Sequence, residues 1–152
     1  MDLPRLRIEW RRGNAVQVGK ALMAPLTPDR RAERAAAILD ACRARWRSVP
    51  EIDAVSALAR DRSLWIRAHD AFDAVRVLAL REERRRTHAA YEALLFVAEN
   101  TAKTLYNASG GPAPFDDDSP WWLAANARSF ADAVGDAAAE DEMWNVLTAE
   151  AG

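Results

Sequence analysis

The sequence predicts an all-α fold: a single bundle of five to six helices, with a short β-hairpin at its amino terminus. Apolar residues recur at three- and four-residue spacing through most of the chain, and Thr, Ser and Pro stand where helices would begin, with Gly where they would end. The size agrees. At 152 residues, half of them apolar, the chain makes one ordinary domain. A domain of this length buries roughly two-thirds of its unfolded surface without help from a metal or a disulfide framework. Its one Cys cannot form an internal bridge.

The hairpin expectation rests on Leu6, Ile8 and Trp10, which alternate as in a strand, and on Val16 and Val18, which repeat the pattern beyond Gly13-Asn14. Two strands alone are marginal in water, so residues 1–24 would lie as a hairpin or arm on a helical layer or on a second copy of the chain. A helix over 14–24 competes with this reading. Thr27 and Pro28 then open a clear helix, Thr27 as cap and Pro28 at the first helical position. Ala32, Ala35, Leu39, Cys42 and Trp46 share its face, which makes Cys42 a buried thiol.

Ser48-Val-Pro-Glu51 reads as a capping box that starts a short helix ending near Ala59. Leu64, Ala68, Phe72, Val75 and Ala79 form the face of the next helix, and Leu94, Leu95, Ala98, Ala102 and Leu105 that of its successor. One helix over 63–108 would be about 70 Å long, too long for a domain of this size. A break is therefore expected near Arg85–His88, with Thr87 as the new cap. Gly110 ends the second of these helices, and residues 108–119, rich in Gly, Pro, Ser and Asp, form a loop. Ser119-Pro120 opens a helix that faces Leu123, Ala127, Phe130 and Val134 inward and stops at Gly135; Met143, Val146 and Leu147 belong to a last short one.

Near-zero net charge conceals a division: residues 1–86 carry 19 basic and 12 acidic side chains, residues 87–152 only 2 and 11. The halves attract, and either they neutralise one another or they present a basic and an acidic surface to others. Nineteen of the 21 basic residues are Arg and 33 residues are Ala, a vocabulary that a GC-rich bacterial genome produces without any function. Arg content is therefore weak support for nucleic-acid binding. No apolar run reaches the roughly 18 residues of a membrane span, and Arg5, Arg7 and Glu9 stand where a signal peptide would be apolar, so a cytoplasmic location is expected.

Catalytic templates are missing: there is no G-x-S-x-G elbow, no phosphate-cradling glycine loop, no H-E-x-x-H and no paired C-x-x-C. No cofactor or metal is expected. His69 with Asp73 and His88 with Glu92 stand at helical spacing, but a turn near residue 86 keeps the pairs apart, and each reads as a surface pair worth a few tenths of a kcal/mol. Asp116, Asp117 and Asp118 lack the ligand spacing of a calcium loop and precede a helix start, where negative charge is favoured.

Those aspartates adjoin Phe115, Trp121 and Trp122, a combination suited to holding a basic protein. Adjacent tryptophans on a helix point about 100° apart, so one of the two stays partly exposed. The leading expectation is thus a non-catalytic protein-binding domain, of an inhibitor or immunity type, that presents its acidic half to a basic partner. A nucleic-acid-binding regulator is the first alternative, through Trp10-Arg-Arg12, Arg43–Arg47 and Arg81–Arg86. A ligand-binding domain or enzyme is the second, in which Glu99, Asn100, Lys103 and Asn107 line a groove closed by the 108–119 loop and an aspartate of that loop holds Lys103. Pairing between copies of the chain is compatible with each.

Overall fold

The computed structural model describes residues 1–86 and 88–150, and among them every regular element is helical. In chain order these are α1 (Leu3–Arg11), α2 (Ala15–Met23), α3 (Pro28–Arg43), α4 (Pro50–Ala59), a 3-10 turn (Arg62–Arg67), α5 (Ala68–Arg85), α6 (Ala89–Ser109), α7 (Ser119–Val134) and α8 (Ala137–Leu147). The all-α class agrees with the expectation; the hairpin and the count of five to six helices do not.

The hairpin gives way to α1 and α2 for a local reason. Asp2 caps α1 by accepting the Arg5 N–H at 3.2 Å, and Pro4 sits in the first turn, where a missing N–H costs nothing. In helical register Leu3, Leu6 and Trp10 face the core, whereas Ile8 points to solvent. Trp10 is wholly buried and donates its indole N–H to the Ala124 carbonyl at 2.8 Å. Residues 14–24 follow the competing helical reading, as α2.

Thr27 caps α3 through the Arg30 N–H at 3.3 Å. Ser48 forms no capping box. Pro50 occupies the first turn of α4 and holds Val49, now the cap, in extended backbone, so Ser48 falls one residue too early and bonds Asp53 instead. What was expected as one helix from residue 63 starts as the 3-10 turn, with Asp61 accepting the Ser63 N–H at 3.0 Å. The break between α5 and α6 falls where predicted. Arg86 adopts left-handed backbone (φ 49°), and buried Glu82 accepts the His88 N–H at 2.9 Å. Thr87, expected to cap α6, lies outside the described residues. Gly110 and Gly135 end α6 and α7 in left-handed conformation.

The centre of the bundle is α6, which spans about 31 Å at 1.5 Å per residue. It packs against α3, α5 and α7; α2 lies on α7, and α8 closes over α3 and α7. Leu94, Leu95, Val97, Ala98, Ala102 and Leu105 point in several directions around α6 and are all buried, as expected of a helix walled on most sides. Away from its two end turns, only the side carrying Phe96, Asn100 and Lys103 reaches partial exposure. No helix among the described residues is long and apolar enough to cross a membrane.

Candidate functional site

The incompletely covered side of α6 forms the floor of a cleft of about 380 Å³. Phe96, Glu99, Asn100 and Lys103 recur there at helical spacing, and Trp122 and Asn126 stand one turn apart on α7 across from them. Asp116, Asp118 and Ser119, at the start of α7, close one end. Two groups of residues singled out separately in the sequence, the polar strip of α6 and the aspartate–tryptophan segment, thus meet in one place.

The walls are braced by a 2.8 Å hydrogen bond from the Asn100 amide to Asn126 Oδ1. Glu99 is only 4% exposed and is met by Arg76 of α5 at 3.3 Å. Burial pushes the Glu99 carboxyl above the ordinary value, and the charges of Arg76 and Lys103 offset this only in part. Lys103, expected to be held by an aspartate of the loop, forms no ion pair with one among the described residues. Its ammonium lies 5.1 Å from the Phe72 ring centre and 5.8 Å from that of Phe115, over aromatic faces.

Phe115 and Asn107 serve the loop itself. Asn107 donates to the Phe115 carbonyl at 3.0 Å and accepts its N–H at 2.8 Å, outside the cleft. The Phe115 ring is packed among His69, Phe72 and Tyr106 at centroid distances of 5.0, 4.9 and 5.6 Å. Trp121 is half-buried with the Arg31 guanidinium 5.4 Å from its ring centre, and Asp117 turns to the other side of the loop, toward Arg31 and Asn107. Trp122 is 46% exposed, its indole N–H directed at Asp118 at 3.3 Å. Of the six residues expected to contact a partner, Asp116, Asp118 and Trp122 line the cleft.

The charge division resolves unevenly. On α8, Glu140 meets Arg7, Arg11 and Arg128, Asp141 meets Arg7, and Glu142 meets Arg45, which also bonds Asp136. Asp116, Asp117 and Asp118 are exposed and, among the described residues, form no ion pair. The arginine clusters are divided in the same way. Arg43 is held by Asp40 and Asp53, Arg45 by α8, and Trp10 is inside, which dismantles two of the three segments that suggested nucleic acid. Arg81, Arg84, Arg85 and Arg86 remain exposed and unpaired among the described residues.

Among the described residues, one group of three donor atoms close enough to share a metal ion is present: His69, Asp70 and Asp73 on the surface of α5. His69 Nδ1 stands 3.7 Å from Asp73 Oδ2, the surface pair expected, while His88 lies at the opposite end of α6 against Trp46. The cleft carboxylates do not converge in this way. Their spread, beside an indole face, suits an extended organic cation better than a compact metal ion. A wider hollow of about 660 Å³ at the α5–α6 turn alternates Glu83, Arg84, Arg86, His88 and Glu92, so it offers no single charge to a ligand.

Phe96 and Asn126 escaped the sequence reading. Phe96 was findable, since it precedes Glu99, Asn100 and Lys103 at i, i+3, i+4 and i+7. Asn126 had no signal beyond lying four residues after Trp122. A scan against protein-family models, a search of curated proteins and a search of solved structures each return no match to this chain.

Proposed function

We propose that the protein is a non-catalytic binding domain whose acidic cleft receives a cationic side chain of a basic protein partner. One observation carries the reading. Among the described residues Asp116 and Asp118 form no ion pair, Asp118 meeting only the indole N–H of a half-exposed Trp122, while the chain's own arginines neutralise the carboxylates of α8. Indole faces attract guanidinium and ammonium groups, and carboxylates around the rim supply the hydrogen-bond acceptors such a group needs. Charged groups at the rim act chiefly on encounter rate and on rejection of wrong partners.

The test is titration calorimetry of synthetic arginine- and lysine-rich peptides against the wild type and Asp116→Asn/Asp118→Asn. The double variant is expected to bind at least about tenfold more weakly, equivalent to about 1.4 kcal/mol. The difference should shrink with added salt. Equal affinity of the two proteins would overturn the reading. Free arginine or a small diamine, titrated alongside, tells a pocket for a small cation from a docking surface for a protein. Random-sequence duplex DNA at low salt serves the nucleic-acid alternative, which requires it to bind with a steep salt dependence.

A further inference from the structure

Helix α5 carries a surface stripe that the core does not use. Val77, Leu80, Arg81 and Arg84 fall at i, i+3, i+4 and i+7, so they share one face, and all four are exposed, Val77 at 49% and Leu80 at 42%. Neither arginine has an ion-pair partner among the described residues. The i, i+3, i+4, i+7 spacing is that by which one face of a helix docks in a groove, and the two guanidiniums favour a groove of opposite charge.

The acidic cleft is the surface on the same molecule that complements it. Trp122 and Phe96 are its incompletely covered apolar groups; Asp116 and Asp118 form no ion pair among the described residues, and the Lys103 ammonium is occupied by the Phe72 and Phe115 rings. The stripe and the cleft are neighbours, because Arg76 of the same helix reaches Glu99 at 3.3 Å and Phe72 lies under the Lys103 ammonium. A helix cannot fold its own outward face into a cleft it borders, but a second copy related by a two-fold axis can exchange both contacts at once.

We propose that two copies of this chain pair through the cleft, with the Val77, Leu80, Arg81 and Arg84 stripe of each seated in the acidic cleft of the other. The inference rests on the reading of the cleft as a docking surface and names a ligand for it. Two paired copies shield both unpaired charge clusters and cover Trp122. The contact is small and its charges lie near solvent, so association in the range of roughly 10 to 100 µM is expected, strongest at low salt.

The experiment is sedimentation velocity on the full chain at about 0.1 mM, in low salt and in about 1 M salt, where the Debye length falls to about 3 Å. Three samples accompany the wild type: Arg81→Glu/Arg84→Glu, Asp116→Lys/Asp118→Lys, and an equal mixture of the two. The wild type should show a doubled mass that is lost in high salt. Each reversed variant should sediment as a single chain, because it sets like charges against each other. In the mixture every stripe again faces a cleft of opposite charge, so the doubled mass returns, a recovery that misfolded variants could not give.

A single-chain wild type at low salt overturns the proposal. So does a doubled mass that survives both reversals, or a mixture that fails to recover it. The outcome is separable from that of the parent reading. Arginine peptides that bind a single-chain wild type and lose affinity on Asp116→Lys/Asp118→Lys would leave the cleft as a site for a foreign partner, without self-pairing.

Discussion

Asn107 and Phe115 exchange two hydrogen bonds, the Asn107 amide giving its N–H to the Phe115 carbonyl and taking the Phe115 N–H on its own oxygen. The pair works as a clip, closing the end of α6 onto the loop just before Asp116. Replacing Asn107 by Ala removes both bonds and leaves two partly buried backbone groups without partners. The expected cost is about 1 to 3 kcal/mol. Amide exchange checks the location: protection should be lost across residues 113–118 more than in α3 or α8, and an even loss over the molecule would show that the clip does not act locally.

Glu99 should make stability rise as pH falls. Burial, the dominant influence, raises its carboxyl above the ordinary value despite Arg76 and Lys103. The folded chain therefore binds this proton more tightly than the unfolded chain. Stability gained through Glu99 grows as pH drops from above the folded pKa toward the unfolded value of about 4.3, and levels off below it. Glu99→Gln lacks this contribution and should compare best with the wild type near neutrality, losing ground toward about pH 4. Urea midpoints across that range are the measurement; a constant difference would mean that Glu99 titrates like an exposed carboxyl.

At Gly19 two effects oppose and their sizes decide. Alanine in a helix interior is favoured over glycine by about 1 kcal/mol. Here, however, a Cβ would stand 2.1 Å from the Trp121 carbonyl oxygen, a backbone atom that cannot swing aside. Gly19→Ala must therefore push α2 off α7, and a net loss of about 1 to 3 kcal/mol is expected. A chemical-denaturation curve shifted upward would refute this.

Cys42 lies wholly buried with its sulfur 3.6 Å from that of Met143. Burial, aided by the charge of Glu142, pushes the thiol well above its ordinary value, against a weaker opposing effect of Arg45. The folded protein should resist iodoacetamide at neutral pH and become labelled only as it unfolds, so labelling tracks the fraction unfolded. Rapid modification of native protein would place the thiol at the surface.

Much of the bundle was legible because helix signals are local. Thr27-Pro28 announced α3, the length limit on 63–108 placed the α5–α6 break, and Gly110 and Gly135 marked two ends. At the amino terminus two local signals conflicted. Leu6, Ile8 and Trp10 alternate like a strand, but Asp2 and Pro4 already commit the backbone to a helix, and an exposed Ile8 is tolerated because single apolar side chains at the surface are ordinary.

The candidate site was half legible for a different reason. Glu99 and Lys103 read correctly as a strip on α6, and Asp116 and Trp122 as an acidic-aromatic segment, but their meeting depends on the path of the loop. That path is set by the Asn107–Phe115 clip and the ring packing of Phe115, contacts between residues whose types alone gave Asn107 a ligand's role and Phe115 a partner's. The pairing of Arg7, Arg11 and Arg45 with α8 was equally invisible, since the sequence gave only the totals of opposite charge.

The burial of Trp10 has a consequence for how the molecule is assembled. Its indole bonds the Ala124 carbonyl, 114 residues away in sequence, and lies 5.3 Å from the ring of Trp144, so the partners of this residue are synthesised long after it. On the ribosome α1 must wait, its largest side chain uncovered, until α7 and α8 have left the exit tunnel. Ribosome-bound chains halted before residue 124 would then expose that indole to quenchers and chaperones, and chains extended until α8 has emerged would hide it.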